Sequence, residues 1–280
     1  MVQSQAQSPD RSSLIRDLET LSSDEMEGRG TGTEGAARAR AYVISRFREM
    51  GLSPAGITYE QPFTYEYKGS DEEGINLYAL IPGQSEEVIV ISAHYDHLGT
   101  TMGFIYNGAD DNASGTAAML AMAAWYKAHP PKHTLLFAAF DAEERHLKGA
   151  KAFFRNPPVA VEKIVANLNM DMLSRSDKKE LYVAGTYHYP ALKAIVQQQE
   201  PAPGIRLLMG HDQPDKPANW TQSSDHGPFH NAGIPFLYFG VEDHPDYHKA
   251  SDTFDKIDQD FYFKAVSTVL RLSIAVDEGL

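Results

Sequence analysis

The feature that most constrains this chain is an alternation of short apolar runs with amphipathic segments along most of its length. The clearest run is EEVIVISAHYDH, and its near-continuous apolar stretch at 87–95 is typical of a strand that is buried on both faces of a sheet. Strands that alternate with helices predict an α/β fold with a parallel centre. We therefore predict a single-domain, mixed, centrally parallel β-sheet flanked by helices.

The apolar periodicity also places the individual elements and the ends of the domain. Strands are predicted at 59–67, 75–82, 87–95, 133–140, 163–172 and 234–240. Helices are predicted at 35–50, 113–128, 147–155, 190–199 and 260–277, with weaker periodicity at 13–25. Residues 209–224 are predicted as a long functional loop. The polar residues 1–12 predict a flexible leader, which leaves 13–280 as one domain.

Composition argues against several classes of function. The net charge of -13 would repel nucleic acid and anionic membrane surfaces, but it is compatible with binding multivalent cations. No apolar run reaches the roughly 18 residues that span a bilayer, and no signal peptide is visible. The leader fits the trimmed start of an exported protein or a cytosolic terminus, and we expect a secreted or periplasmic protein. The oligomeric state has no signature in the sequence.

Side chains that can bind metal follow three successive predicted strands. The three strand ends carry His94 with Asp96, Glu143 with Glu144, and Asp171. Ligands of open α/β sheets bind at the carboxyl ends of the strands, so we expect these side chains to meet at one edge. Two adjacent glutamates at an apolar strand repel each other and lose hydration unless a cation lies there. Since the chain has no cysteine, any metal must be held by His, Asp and Glu.

Two further segments offer ligands. Asp111 lies in NGADDNASG, before a helix start where Asp and Asn also serve as caps. The segment GVEDHPDYHKASDT offers His244, Asp246, Tyr247 and His248. The remaining histidines are expected to be structural or exposed, namely His97, His129, His133, His146, His188, His211 and His230.

Five of these side chains supply a nitrogen or oxygen ligand for a divalent metal: His94, Asp111, Glu144, Asp171 and His248. Five ligands are too many for one tetrahedral zinc, but they suit two zinc ions that share a carboxylate. Glu143 then remains free to act as a base.

Six motifs in this order resemble the M28 family of zinc peptidases, the co-catalytic di-zinc aminopeptidases, over nearly the whole chain. They are HYDHLG, NGADDNASG, FDAEE, NMDM, SSDHGPFHNAGIPFLYFG and YHKASDT. The resemblance implies a zinc-dependent exopeptidase fold with two Zn²⁺ per chain. His94 and Asp171 would complete one site, Glu144 and His248 the other, and Asp111 would bridge both.

The resemblance also implies roles for residues that bind no metal. Glu143 would be the general base, Asp96 would orient His94, and Tyr247 would donate a hydrogen bond to the tetrahedral intermediate. Asp225 and His226 match a segment that lines the pocket, and we expect them to support it. A cis peptide bond would follow Asp111, before Asn112.

The short spacing between the strands at 59–67 and 87–95 leaves no room for the protease-associated domain that some members carry. The sequence thus predicts a compact di-zinc aminopeptidase that hydrolyses the first peptide bond of peptides with a free N-terminus. One alternative is a glutaminyl cyclase, which needs one zinc. Another is a carboxypeptidase or dipeptidase, for which Arg175 and Arg206 are candidate carboxylate binders. A binding protein on an inactive peptidase fold would have lost ligands or the base, and none is lost here.

Overall fold

The computed structural model describes residues 7–280, and the first half of the predicted leader lies outside the described residues. Helix α1 (Arg11–Leu21) begins inside the predicted leader. It does so because the Asp10 carboxylate accepts a hydrogen bond from the Ser13 amide at 2.7 Å and caps the helix. The division into a leader and one peptidase domain stays a prediction.

The elements follow the predicted alternation. The other helices are α2 (Glu34–Glu49), α3 (Gly115–Ala128), α4 (Lys148–Arg155), α5 (Pro190–Gln197), α6 (His226–Asn231) and α7 (Gln259–Gly279). The strands are β1 (Ser53–Pro54), β2 (Glu60–Tyr67), β3 (Ser70–Ile81), β4 (Ser85–His94), β5 (Gly99–Thr101), β6 (Phe104–Tyr106), β7 (His133–Phe140), β8 (Ile164–Met170), β9 (Glu180–Ala184), β10 (Arg206–Met209) and β11 (Phe236–Gly240). None of the helices in the described range has the length and apolarity to cross a bilayer.

One nine-stranded sheet organises the chain. Its order is β1-β3-β7-β4-β8-β11-β9-β10, with β2 paired to β3 as a hairpin. The central strands β7, β4, β8 and β11 are mutually parallel, whereas β3 and β9 run antiparallel to their inner neighbours. The predicted mixed sheet with a parallel centre is therefore confirmed. The strands β5 and β6 form a separate two-stranded hairpin.

Strand β4 shows why the central runs are continuously apolar. Ile89 and Ile91 belong to the core beneath α1, α2, α3 and α7, whereas Val88 and Val90 belong to the core beneath α4 and α6. Successive side chains on a strand point to opposite faces, so a strand covered on both faces needs apolar residues at every position.

The parallel pairing brings three strand ends together at one edge. His94 at the end of β4 pairs with Phe140 at the end of β7, and Ser92 pairs with Asn169 near the end of β8. The residues that follow β7 and β8 therefore emerge beside His94, as the strand-end reasoning predicts.

Candidate metal centre

The five predicted ligands come from five separate segments. His94 ends β4, Asp111 lies in a turn (Ala109–Ser114) before α3, Glu144 follows β7, Asp171 follows β8, and His248 lies in the loop after β11. The structure brings all five together, and the peptide bond between Asp111 and Asn112 is cis, as the resemblance implies.

The first group of ligand atoms surrounds the His94 ring, which is 1% exposed. Its Nε2 lies 3.3 Å from Asp171 Oδ1 and 3.5 Å from Asp111 Oδ1. Two ligands of one tetrahedral zinc lie roughly 3.3–3.6 Å apart, given metal–ligand bonds of about 2.0–2.2 Å. Within the described chain, Asp171 Oδ1 is buried and has no hydrogen-bond partner. The donor atoms and their spacing fit a zinc ion.

The second group surrounds His248. Its Nε2 lies 3.1 Å from Asp111 Oδ2 and 3.3 Å from Glu144 Oε2. The two oxygens of Asp111 therefore face one group each, which is the arrangement that a bridging carboxylate requires.

The adjacent glutamates occupy different electrostatic environments. Burial raises the pKa of Glu143 well above its usual range; His94 opposes this shift, and the carboxylates of Asp171 and Asp225 add to it. Burial alone would also raise the pKa of Glu144, but the imidazoles of His248 and His97 hold it below its usual range. One glutamate is thus suited to carry a proton and the other to remain a charged ligand.

Asp96 lies beside His94, as expected. Its carboxylate also accepts hydrogen bonds from the backbone of the glutamate turn, which the sequence did not indicate. The Nδ1 atom of His94 lies 3.2 Å from the backbone oxygen of Asp96 and 3.7 Å from its carboxylate. That carboxylate accepts hydrogen bonds from the backbone amides of Glu143 at 3.0 Å and Glu144 at 3.3 Å, and from the Thr31 hydroxyl at 3.4 Å. Asp96 therefore fixes the turn that carries both glutamates.

A second buried aspartate, Asp252, fixes the turn of the bridging residue. Its carboxylate accepts hydrogen bonds from the backbone amides of Asp110 and Asp111, at 3.0 Å and 3.1 Å. The neighbouring Asp110 carboxylate accepts from the amide and hydroxyl of Ser174 and lies 3.2 Å from His244 Nε2. These contacts tie the loop of His248 to the turn of Asp111. Sequence reasoning considered His244 only as a candidate ligand.

Arg29 was also missed by sequence reasoning. Its guanidinium is fully buried and donates hydrogen bonds to the backbone oxygens of Leu21, Tyr95, Asn107 and Gly108, at 2.6–2.9 Å. Burial lowers the pKa of Arg29 to about 10, against the opposing effect of nearby carboxylates. Its position in EGRG gave no signal, because the four acceptors lie in three separate parts of the chain.

His97 was expected to be structural or exposed, and the structure shows it buried. The ring is 2% exposed and lies inside the metal centre, where its Nδ1 is 2.8 Å from Glu144 Oε1. The signal was present, because His97 belongs to the same HYDH tetrapeptide as His94. His97 lies beyond the end of β4, however, so the alternation of side chains along a strand could not predict where its ring points.

Asp225 and His226 lie behind the pocket, and their loop contributes its lining. Asp225 is buried with neither oxygen hydrogen-bonded within the described residues, and burial raises its pKa to about 8. His226 Nε2 lies 2.7 Å from the backbone oxygen of Trp220. Trp220 and Ser223, from the predicted long loop, reach the pocket itself.

A cavity of about 200 Å³ opens at the carboxyl edge of the sheet, beside the ligand groups. It is lined by Asp111, Glu143, Asp171, Met172, Trp220, Ser223, Tyr238, Val241, Asp243, Tyr247 and His248. This lining contains no Lys or Arg. The two candidate carboxylate binders are engaged elsewhere, since Arg175 pairs with Asp246 at 2.8 Å and Arg206 pairs with Glu180 at 2.9 Å.

Comparison with known proteins supports the reading of the motifs. The model of peptidase family M28 matches residues 76–273. Aminopeptidase YwaD of Bacillus subtilis is 30% identical over 190 residues, which are 62% of this chain and 38% of that protein. A probable leucine aminopeptidase of Arthroderma otae is 31% identical over 195 residues, which are 64% of this chain and 51% of that protein. The chain thus spans about half, or less, of the length of these relatives.

Solved structures show the same fold. A zinc aminopeptidase from Bacillus subtilis superposes with a TM-score of 0.75 at 18% identity, over 96% of this chain and 95% of that chain. A glutaminyl cyclase from Porphyromonas gingivalis superposes with a TM-score of 0.74 at 19% identity, over 97% and 99% of the two chains. The shared fold therefore does not separate the two activities. The family match covers most of the chain and confirms the motif resemblance: this chain belongs to peptidase family M28.

Proposed function

We propose that this chain is a zinc-dependent aminopeptidase that holds two zinc ions and hydrolyses the first peptide bond of peptides with a free N-terminus. His94, Asp171 and the bridging Asp111 would hold one ion. Glu144 and His248 would hold the other, together with Asp111. The separation of the ligand atoms into two groups on either side of Asp111 supports this assignment.

The lining of the cavity is the observation that supports cleavage from the N-terminal end of the substrate. Besides the side chains assigned to zinc, it presents the carboxylates of Glu143 and Asp243, aromatic rings and apolar side chains, and no Lys or Arg. An α-ammonium group is attracted to such a site, whereas a carboxypeptidase or dipeptidase must pair the substrate carboxylate with a basic group. Met172, Trp220, Tyr238 and Val241 favour an apolar first side chain.

The residues around the ions have separate roles in the reaction. When bound, zinc supplies Lewis-acid activation of water and of the scissile carbonyl. Glu143, whose pKa is raised by burial, takes the proton of the attacking water and passes it to the leaving amine. Tyr247 lines the cavity against His248, where its hydroxyl donates a hydrogen bond to the developing oxyanion.

A panel of aminoacyl-anilides with free and N-acetylated amines tests the function. We expect hydrolysis of the free amines only, with apolar side chains preferred. Comparable rates on the acetylated forms would overturn the assignment and favour cleavage from the other end.

The number of ions separates the aminopeptidase from the cyclase. Zinc-saturated protein should contain two zinc ions per chain by elemental analysis, and peptides with N-terminal glutamine should be hydrolysed without release of ammonia. One ion per chain together with ammonia release would establish the cyclase instead.

The two glutamates provide a matched pair of variants. Glu143→Gln should keep both zinc ions and lower kcat by roughly 10²–10⁴, the usual contribution of a general base. Glu144→Gln should lose zinc. Equal behaviour of the two variants would contradict the roles proposed for this pair.

A further inference from the structure

His97 occupies a fixed and unusual place in the metal centre. Its backbone amide donates a hydrogen bond to the Arg29 oxygen at 3.3 Å, and its ring fills the space that Gly108 leaves open. A Cβ atom at Gly108 would lie only 2.5 Å from His97 Cδ2 and 2.6 Å from Cγ. The backbone of His97 is therefore tied to Arg29, and its ring packs closely against Gly108.

Neither ring nitrogen of His97 has a hydrogen-bond partner within the described residues, although the ring is 2% exposed. Nδ1 lies 2.8 Å from Glu144 Oε1, yet the two atoms do not form a hydrogen bond, and Oε1 also lacks a partner there. Nδ1 also lies 3.7 Å from Asp111 Oδ2. Buried polar atoms without partners are costly, and a cation shared by the nitrogen and the oxygens would satisfy them.

The three side chains meet the requirement for a shared ion. Ligand atoms of His97, Asp111 and Glu144 lie within 4.8 Å of one another. The His248 ring belongs to the same neighbourhood, with its centroid 5.8 Å from that of His97. Neutral imidazole is a common protein ligand for metal ions, and its combination with carboxylates suits zinc.

We infer that His97 is a further nitrogen ligand of the second ion, beside Asp111, Glu144 and His248. The inference rests on the proposed function in one respect, namely that zinc binds at this centre. With this assignment, the two sites differ in their number of protein ligands. The first ion would have three protein ligands, as catalytic zinc sites commonly do, whereas the second would have four.

The closing experiment titrates zinc-free protein with zinc against a competing chelator, so that the number of sites and their affinities are read without any activity. His97→Asn is the decisive variant. The asparagine amide can offer an N–H group near the place of Nδ1, so it can replace a hydrogen bond to Glu144 but not a metal–nitrogen bond. His97→Ala removes both.

We expect the wild-type chain to bind two zinc ions, one more tightly than the other. Both His97 variants should weaken the tighter site by more than 100-fold, beyond the roughly 10–100-fold effect of residues that only orient a ligand. His133→Asn is the matched control, because His133 is 1% exposed and pairs with Asp277 at the opposite end of β7. This control should retain both affinities.

Two outcomes would overturn the inference. One is His97→Asn with wild-type zinc affinities, which would make His97 a positioning residue for Glu144. The other comes from the unsubstituted protein, loaded with spin-active cadmium and carrying isotope-labelled histidine. A metal–nitrogen coupling should appear at Nδ1 of His97, and its absence while other histidines show coupling would refute ligation even if the variants fail to fold. A wild-type chain that binds no zinc would instead refute the proposed function.

Discussion

Replacing Asp96 with asparagine tests whether one carboxylate holds the turn of both glutamates. Its Oδ1 accepts the Glu143 amide, whereas Oδ2 accepts the Glu144 amide and the Thr31 hydroxyl. Asparagine keeps only one of these acceptors and turns an N–H₂ group toward a donor on the other side. A buried hydrogen bond to a charged group contributes about 1.5–3 kcal/mol, so we expect a loss of about 2 kcal/mol in the free energy of unfolding.

The same substitution should weaken zinc binding, because Glu144 would no longer be fixed by its backbone. Loss of a residue that orients a metal ligand typically costs 10–100-fold in affinity. Urea unfolding of the zinc-free protein measures the first effect, and zinc titration against a chelator measures the second. We also expect kcat to fall more than KM changes, since the turn carries Glu143.

Asp212 provides the matched control, because it is also buried and also accepts from two backbone amides and one hydroxyl. All three hydrogen bonds, from Gly185, Tyr187 and Thr186, end on the single oxygen Oδ2. An asparagine carbonyl can replace that oxygen, so Asp212→Asn should cost about 1 kcal/mol or less and leave zinc affinity unchanged. Asp96→Asn with unchanged zinc affinity and kcat would refute the reasoning, as would equal effects of the two variants.

Three further predictions follow from the centre. Arg29→Met leaves four buried backbone oxygens without their donor and should lower the free energy of unfolding by about 3 kcal/mol or more; a loss below about 1 kcal/mol in urea unfolding would show that water replaces the guanidinium. Tyr247→Phe should lower kcat by about 10²-fold with little change in KM, as expected for loss of an oxyanion donor, and a change confined to KM would assign the hydroxyl to substrate binding instead. Chelation should destabilise the fold, since zinc at about 1,000 times its Kd adds about 4 kcal/mol to a folded state that alone binds it, and an unchanged Tm would contradict a preformed site.

Much of the architecture could be predicted from the sequence, because a buried element carries a recognisable pattern of apolar residues. The apolar runs at β4 and β7 are nearly continuous, since each strand is covered on both faces, whereas Asn167 and Asn169 interrupt the run at β8. The parallel order of the three strands predicts that their carboxyl ends meet. The strands β9 and β10, the last two in the sheet order, were not predicted. They have five and four residues, and β10 is only half-buried, so neither shows a clear period.

The start of a helix can also depend on contacts that the local sequence pattern does not show. Helix α3 was predicted from residue 113 but begins at Gly115, after the turn that carries Asp111. The Asn112 side chain accepts a hydrogen bond from the Gly115 amide at 2.8 Å and donates one to the Met170 oxygen at 2.9 Å. The second of these contacts joins segments far apart in the chain, and no local pattern encodes it.

The sequence by itself determined which residue types stand at the carboxyl ends of the strands, and therefore that a cluster of carboxylates and imidazoles forms there. Only the tertiary structure decided how these groups face one another. Arg29 reaches four backbone oxygens, Asp96 holds the backbone of both glutamates, and the His97 ring turns toward Glu144. Periodicity reports which face of an element is buried, whereas these contacts depend on the distances between elements, which are set only when the whole sheet and its loops pack together.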